Sequence, residues 1–152
     1  MIKLILSILL IFNLIGNNEP SIYEVRKIYF EKVNTKEGVE LLQSTLEKLP
    51  NSYKINGYRA GCQMVSSKYQ SSPMKKLSVF KEGKQNLELI IKEQPEDMEL
   101  RLIRLSIQEN APGIVNYNSN IDSDTDLLKN EKNTISDSNL IQHINNYFDG
   151  KN

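Results

Sequence analysis

The chain predicts an all-α fold of six to seven helices stacked as antiparallel hairpins, and three observations lead there. Apolar residues recur at three- and four-residue spacing along most segments, the period of a helix with one buried face. The segment from Met98 to Ile107 is apolar on two opposite sides. Met98, Leu102 and Leu105 form one stripe and Leu100, Ile103 and Ile107 the other, which marks a helix sandwiched between neighbours. Finally, Lys36-Glu37-Gly38, Leu42 and Pro50 recur at an offset of 45 residues as Lys81-Glu82-Gly83, Leu87 and Pro95.

Taken in order, the chain opens with Lys3 and the twelve-residue apolar segment Leu4 to Ile15, interrupted only by Ser7 and Asn13. A short apolar core behind one positive charge reads as a secretory signal peptide, residues 1–16. A bilayer-spanning helix needs about 20 apolar residues, so the segment is too short to cross. An uncleaved anchor or a buried first helix is the competing reading. No cysteine follows the segment, which excludes a lipoprotein anchor. Export to the periplasm or the medium is the expectation, with no stable transmembrane helix in the mature chain.

Losing residues 1–16 removes Lys3 from 19 basic residues and none of the 19 acidic ones, a mature balance of minus one. Near-neutrality argues against nucleic acid and against a general anionic-membrane surface as partners. Cys62 is the only cysteine, so no internal disulfide forms. It shares a helix face with Tyr58, Val65 and Tyr69, which makes it a packing residue.

Residues 17–118 form the expected helical domain. Its first helix runs from Ser21 to Val33, where Ser21 and Glu24 have capping-box spacing and Ile22, Val25, Tyr29 and Val33 make the apolar stripe. The second spans Thr35 to Leu49 with Gly38, Leu42 and Leu46 inward, and Pro50-Asn51-Ser52 turns the chain. A third extends from Tyr53 to about Tyr69, where Ala60-Gly61 lets a neighbour approach and Ser71-Ser72-Pro73 ends the helix. The fourth carries Gly83, Leu87, Ile90 and Ile91 on one face, opposite Lys84, Glu88 and Lys92. Glycine there costs about 1 kcal/mol against alanine, so Gly83 implies a closely packed neighbour. The fifth, two-sided helix stops at Ala111-Pro112-Gly113. Residues 119–134 read as a polar linker with a short helix at Leu127-Leu128. Residues 135–148 regain an amphipathic pattern through Leu140, Ile144, Tyr147 and Phe148, a last helix that closes the stack or docks on a partner.

A small residue, a large apolar residue four later and a proline twelve later resemble the second half of a tetratricopeptide repeat. Tyr29 falls at that motif's first-helix aromatic position and Met74 replaces it in the second copy. The copies lack the motif's early Trp, Leu-Gly and central Ala, and their period exceeds the usual 34 residues by about eleven, placed near Tyr69 to Leu77. The resemblance covers residues 21 to 109 and implies a degenerate tetratricopeptide-like, right-handed helical array. The run through Glu99, Arg101, Arg104, Gln108, Pro112, Tyr117, Asn118 and Asp122 is similar to small exported proteins of flavobacterial type. That likeness implies a helical fold and export, and no activity.

Four constellations bear on function. Asp122, Asp124 and Asp126 alternate like calcium-loop ligands, but Leu127 and Asn133 stand where an EF-hand needs glycine and glutamate. His143, the sole histidine, has no companion for a zinc site, and no glycine-flanked nucleophile accompanies it. Lys75 and Lys76, with Lys68 and Lys81, read as a solvated helix start. Arg101, Arg104 and Gln108 share one polar strip of the fifth helix, with Tyr58, Arg59 and Tyr117 as candidate neighbours. The strip reads either as a groove for an acidic peptide or other anion, since arginine makes directed bonds to carboxylates, or as a structural tie to Asp122 and Asp124. The expected function is a protein- or peptide-interaction scaffold of the bacterial envelope. The alternative is a small-ligand-binding protein or enzyme using the strip around Arg101 and Arg104. No catalytic residue, metal or cofactor is assigned.

Overall fold

The computed structural model describes residues 20–150, so the expected signal peptide lies outside the described residues. Within them the chain forms seven α-helices and no strand: α1 (Ile22–Lys32), α2 (Lys36–Glu47), α3 (Tyr53–Ser66), α4 (Pro73–Glu93), α5 (Met98–Asn110), α6 (Ile121–Glu131) and α7 (Ser138–Asp149). Six of the seven start on a side-chain cap. Ser21, Thr35, Ser52, Ser72, Asp97 and Asp137 each accept a bond from a backbone N–H of the first turn. Such caps satisfy donors that the helix leaves open, and each contributes about 1 kcal/mol.

Helix α5 separates two cores, as its two apolar stripes require. Leu100, Ile103 and Ile107 join Val25, Tyr29, Leu42, Tyr58, Met64 and Leu87 in the larger core. Met98, Leu102 and Leu105 meet Leu128 of α6 and Leu140 and Ile144 of α7 in the smaller one. Each fully buried leucine contributes about 1.5–3 kcal/mol, so both sides of α5 hold it in place. The last helix thus packs on its own chain.

Gly38 and Gly83 both sit at close approaches to the helix before them, the first at the end of α1 and the second at the middle of α3. A Cβ at Gly38 would lie 1.8 Å from the carbonyl oxygen of Lys32 at the end of α1, and one at Gly83 would lie 2.9 Å from that of Ala60 in α3. Both contacts are shorter than any side chain tolerates without backbone movement. Helices α3 and α4 pack more extensively on each other than any other pair.

Three boundaries differ from the sequence reading. Helix α3 stops at Ser66 and tightens into a 3-10 turn through Tyr69, from which Lys68 and Tyr69 donate to the carbonyls at Val33 and Asn34. Pro73 opens α4, because a proline at the first helical position lacks only a hydrogen that the helix would leave unused. The extra residues of the second repeat copy therefore lengthen α4 to 21 residues. The polar linker contains an eleven-residue helix, α6, with Asp122 and Asp124 in its first turn, where acidic groups face the positive helix end.

Candidate functional site

The polar residues of α5 are the first place to look, because burying a charge is costly unless it is paired. They build two separate networks. Glu99, fully buried, accepts from four donors. Arg26 of α1 approaches with Nε at 2.6 Å and Nη2 at 2.9 Å, Lys54 of α3 with Nζ at 3.0 Å, and Tyr58 with Oη at 2.7 Å. The remaining Arg26 nitrogen lies 2.8 Å from Asp137 and 3.1 Å from Asn139, at the start of α7. Burial alone would push the Glu99 carboxyl up, but Arg26, Lys54 and Tyr58 outweigh it and hold the group below the ordinary value of 4.5. Tyr58 responds in the opposite sense: burial and the neighbouring carboxylate raise its phenol well above 10.0.

The second network lies across α5. Both oxygens of the buried Asp124 face Arg104, with Nε at 2.7 Å and Nη2 at 2.7 Å, the bidentate geometry that suits a planar guanidinium. Arg104 Nη1 reaches Glu88 of α4 at 2.8 Å. Arg101 Nη1 adds a bond to Asp124 at 3.0 Å, and its other nitrogens donate to the carbonyl of Pro95. Tyr117 closes the network by donating to Glu88, and burial together with that bond raises its phenol. Gln108 stands one turn further on and exchanges two bonds with Asn120, side chain to side chain at 3.3 Å and backbone to side chain at 3.1 Å.

Of the six candidate contact residues, Arg101, Arg104 and Tyr117 meet in one network and Gln108 abuts it. Tyr58 belongs to the other network. Arg59 joins neither: it donates to the carbonyls of Leu46 and Leu49, 2.8 Å each, at the C-terminal end of α2. Among the described residues no buried side-chain nitrogen or oxygen lacks a bonding partner. Arg26, Lys54 and Glu88, with Asp137 and Asn139 at the start of α7, are members that the sequence reading missed. Arg26 carried a signal: it falls four residues after Ile22, inside the apolar stripe of α1. A charge in an apolar stripe demands a buried counter-charge.

An opening of different character lies at the other end of α5. A half-open groove of about 1080 Å³ is walled by α1, the 3-10 turn after α3, the first turns of α4, the loop after α5 and α7. Phe80 and Tyr29 contribute to its lining, and His143 of α7 stacks at 5.5 Å on Phe30. Met74 and Ile114, 85 % and 88 % exposed, are the two most solvent-exposed large hydrophobic residues described, and both line this groove. Leaving two such side chains in water forfeits the transfer energy that burial would return. Ile114 is held out by a 3-10 turn, Gly113–Val115, which ends on Asn116 in the left-handed region at φ 45°.

Among the described residues no helix is long and apolar enough to cross a membrane, and no cluster of His, Cys, Asp and Glu could hold a metal ion. Cys62 is buried, and that burial pushes its thiol up to about 12. Comparison of the chain with protein-family models, curated proteins and solved structures finds no match.

Proposed function

We propose that the protein is an exported, tetratricopeptide-like helical array that binds an apolar helical segment of a partner protein. The binding site is the groove between α1, α4 and α7. The observation that carries the reading is that the most exposed apolar side chains, Met74 and Ile114, stand together on a half-open apolar trough. At about 1080 Å³ the groove lies at the upper end of the range of roughly 300–1,000 Å³ typical of small-molecule pockets, and it stays open along one side, which suits a helix better than an enclosed ligand. An amphipathic helix laid into such a trough buries anchors at i, i+3, i+4 and i+7. The close approaches of Gly38 and Gly83 to the helices before them support tightly packed consecutive helix pairs. The similarity to small exported flavobacterial proteins fits the same reading and adds no activity.

The polar strip around Arg101 and Arg104 supports an anion site less well, because every nitrogen of Arg104 already donates to a carboxylate. The test is a titration with a capped helical peptide bearing leucines at i, i+3, i+4 and i+7 and glutamine elsewhere, followed by methyl NMR. Saturable shifts are expected at Met74, Ile114 and Val115, with none at Leu89 on the outer face of α4. Groove methyls that ignore the peptide but respond to a long-chain carboxylate would replace the reading with a carrier of small apolar molecules.

A further inference from the structure

The groove is electrically asymmetric. Besides the phenols of Tyr29 and Tyr147, four ionisable side chains line it: Lys68 and Lys76 on the side of α3 and α4, and Glu31 and His143 on the side of α1 and α7. The Lys76 side chain is exposed and forms no ion pair or hydrogen bond among the described residues. Lys68 contacts backbone carbonyls at 3.3 Å and 3.4 Å and the Tyr69 ring at 5.0 Å, but no carboxylate. Among the described residues neither ammonium has a carboxylate partner, whereas the ion-paired carboxylates, the exposed Lys36–Glu40 pair apart, lie in the two networks flanking α5. Lys75, also exposed, adds a third positive charge beside Lys76 at the start of α4.

Resting on the groove reading above, we propose that the groove selects partner helices whose apolar stripe is edged by carboxylates along the side that meets Lys68 and Lys76. The apolar trough supplies affinity and is indifferent to direction. The two lysines facing Glu31 supply orientation, because a helix laid in with its acidic edge reversed would set carboxylates against Glu31. Charge arranged this way contributes register and selectivity more than affinity.

The experiment uses three capped peptides with one leucine stripe, edged by glutamine, glutamate or lysine, with dissociation constants measured by fluorescence anisotropy. Exposed ion pairs are individually weak, so the glutamate peptide should bind about ten-fold more tightly than the lysine peptide at low salt. That gap should collapse near 1 M salt, where the screening length falls to about 3 Å. In a Lys68→Glu/Lys76→Glu variant the order should invert; both positions are exposed, and because Lys68 also donates to the carbonyls at Val33 and Asn34 the variant is first matched to the parent in thermal melting. Equal binding by all three peptides would overturn the charge selection and leave the groove reading standing. Failure of all three would overturn both.

Discussion

The polar strip of α5 and the groove beyond its C-terminal end are opposites in chemistry, and the contrast shows where a binding surface is to be sought. The strip concentrates charge: Arg104 and Asp124 are buried and bidentate, with Glu88 and Arg101 completing them. From sequence it is the conspicuous feature. Its donors and acceptors are consumed by one another, so its role is to fix α4, α5 and α6 in register. The groove has few charges and only scattered hydrogen bonds along its walls, yet it leaves large apolar side chains in water. An unfinished surface says more about partners than a dense one.

Substitutions can break that contrast, and the largest effect belongs to the ionic networks. Glu99→Leu strands Arg26 and Lys54 without their shared carboxylate and should destabilise the fold by about 3–5 kcal/mol in urea denaturation. Arg104→Met should cost somewhat less, about 3 kcal/mol, because Arg101 still faces Asp124. If either variant retained parental stability, the strip would not be structural and the anion-site reading would regain its standing.

Acid should act on the same networks. The folded Glu99 carboxyl lies below its ordinary value, so its stabilisation is complete above pH 4.5 and is lost as pH falls through the lower folded value. Asp137 contributes in the same sense below 3.8: burial pushes its carboxyl up, but bonds from the α7 backbone and from Arg26 together outweigh that and hold it down. His143 is also depressed, by burial and then by Arg26, so protonating it opposes folding as pH falls below 6.5. Melting temperature should therefore decline gently below 6.5 and steeply below 4.5. The steep limb should flatten in Glu99→Leu and the gentle one in His143→Gln.

Smaller effects sharpen the comparison. Tyr117→Phe removes one bond to Glu88 and should cost about 1 kcal/mol by thermal melting. Met74→Gln/Ile114→Gln should leave stability within about 0.5 kcal/mol while weakening the leucine-striped peptide by about ten-fold. A destabilised Met74/Ile114 variant would place those side chains in the core and close the groove.

Much of the fold was legible because helical periodicity is local. The two-sided α5, the cap at Ser21 and the Gly83 approach could all be read within a few turns. Helix α6 was harder: its segment Ile121–Glu131 is polar except at three positions, and Leu128 is buried by long-range contact with α5 and α7. The site was legible in composition but not in partnership. Arg101, Arg104 and Tyr117 were singled out together and do meet, whereas Tyr58 and Arg59 face elsewhere. The pairing of Arg104 with Glu88 spans 16 residues and that of Arg26 with Glu99 spans 73, separations over which no periodicity speaks. The groove left its traces as apolar residues out of place, Met74 in a first turn and Ile114 in a loop.

Arg26 also ties the ends of the described chain together. Its bonds span 73 residues to Glu99 and 113 to Asn139, so the first helix takes partners from the fifth and from the last. Closing the longer loop costs only about 0.4 kcal/mol more than closing the shorter. The groove wall that carries His143 and Tyr147 belongs to α7. A chain interrupted before residue 137 would therefore lose that wall together with the Arg26 contacts to Asp137 and Asn139.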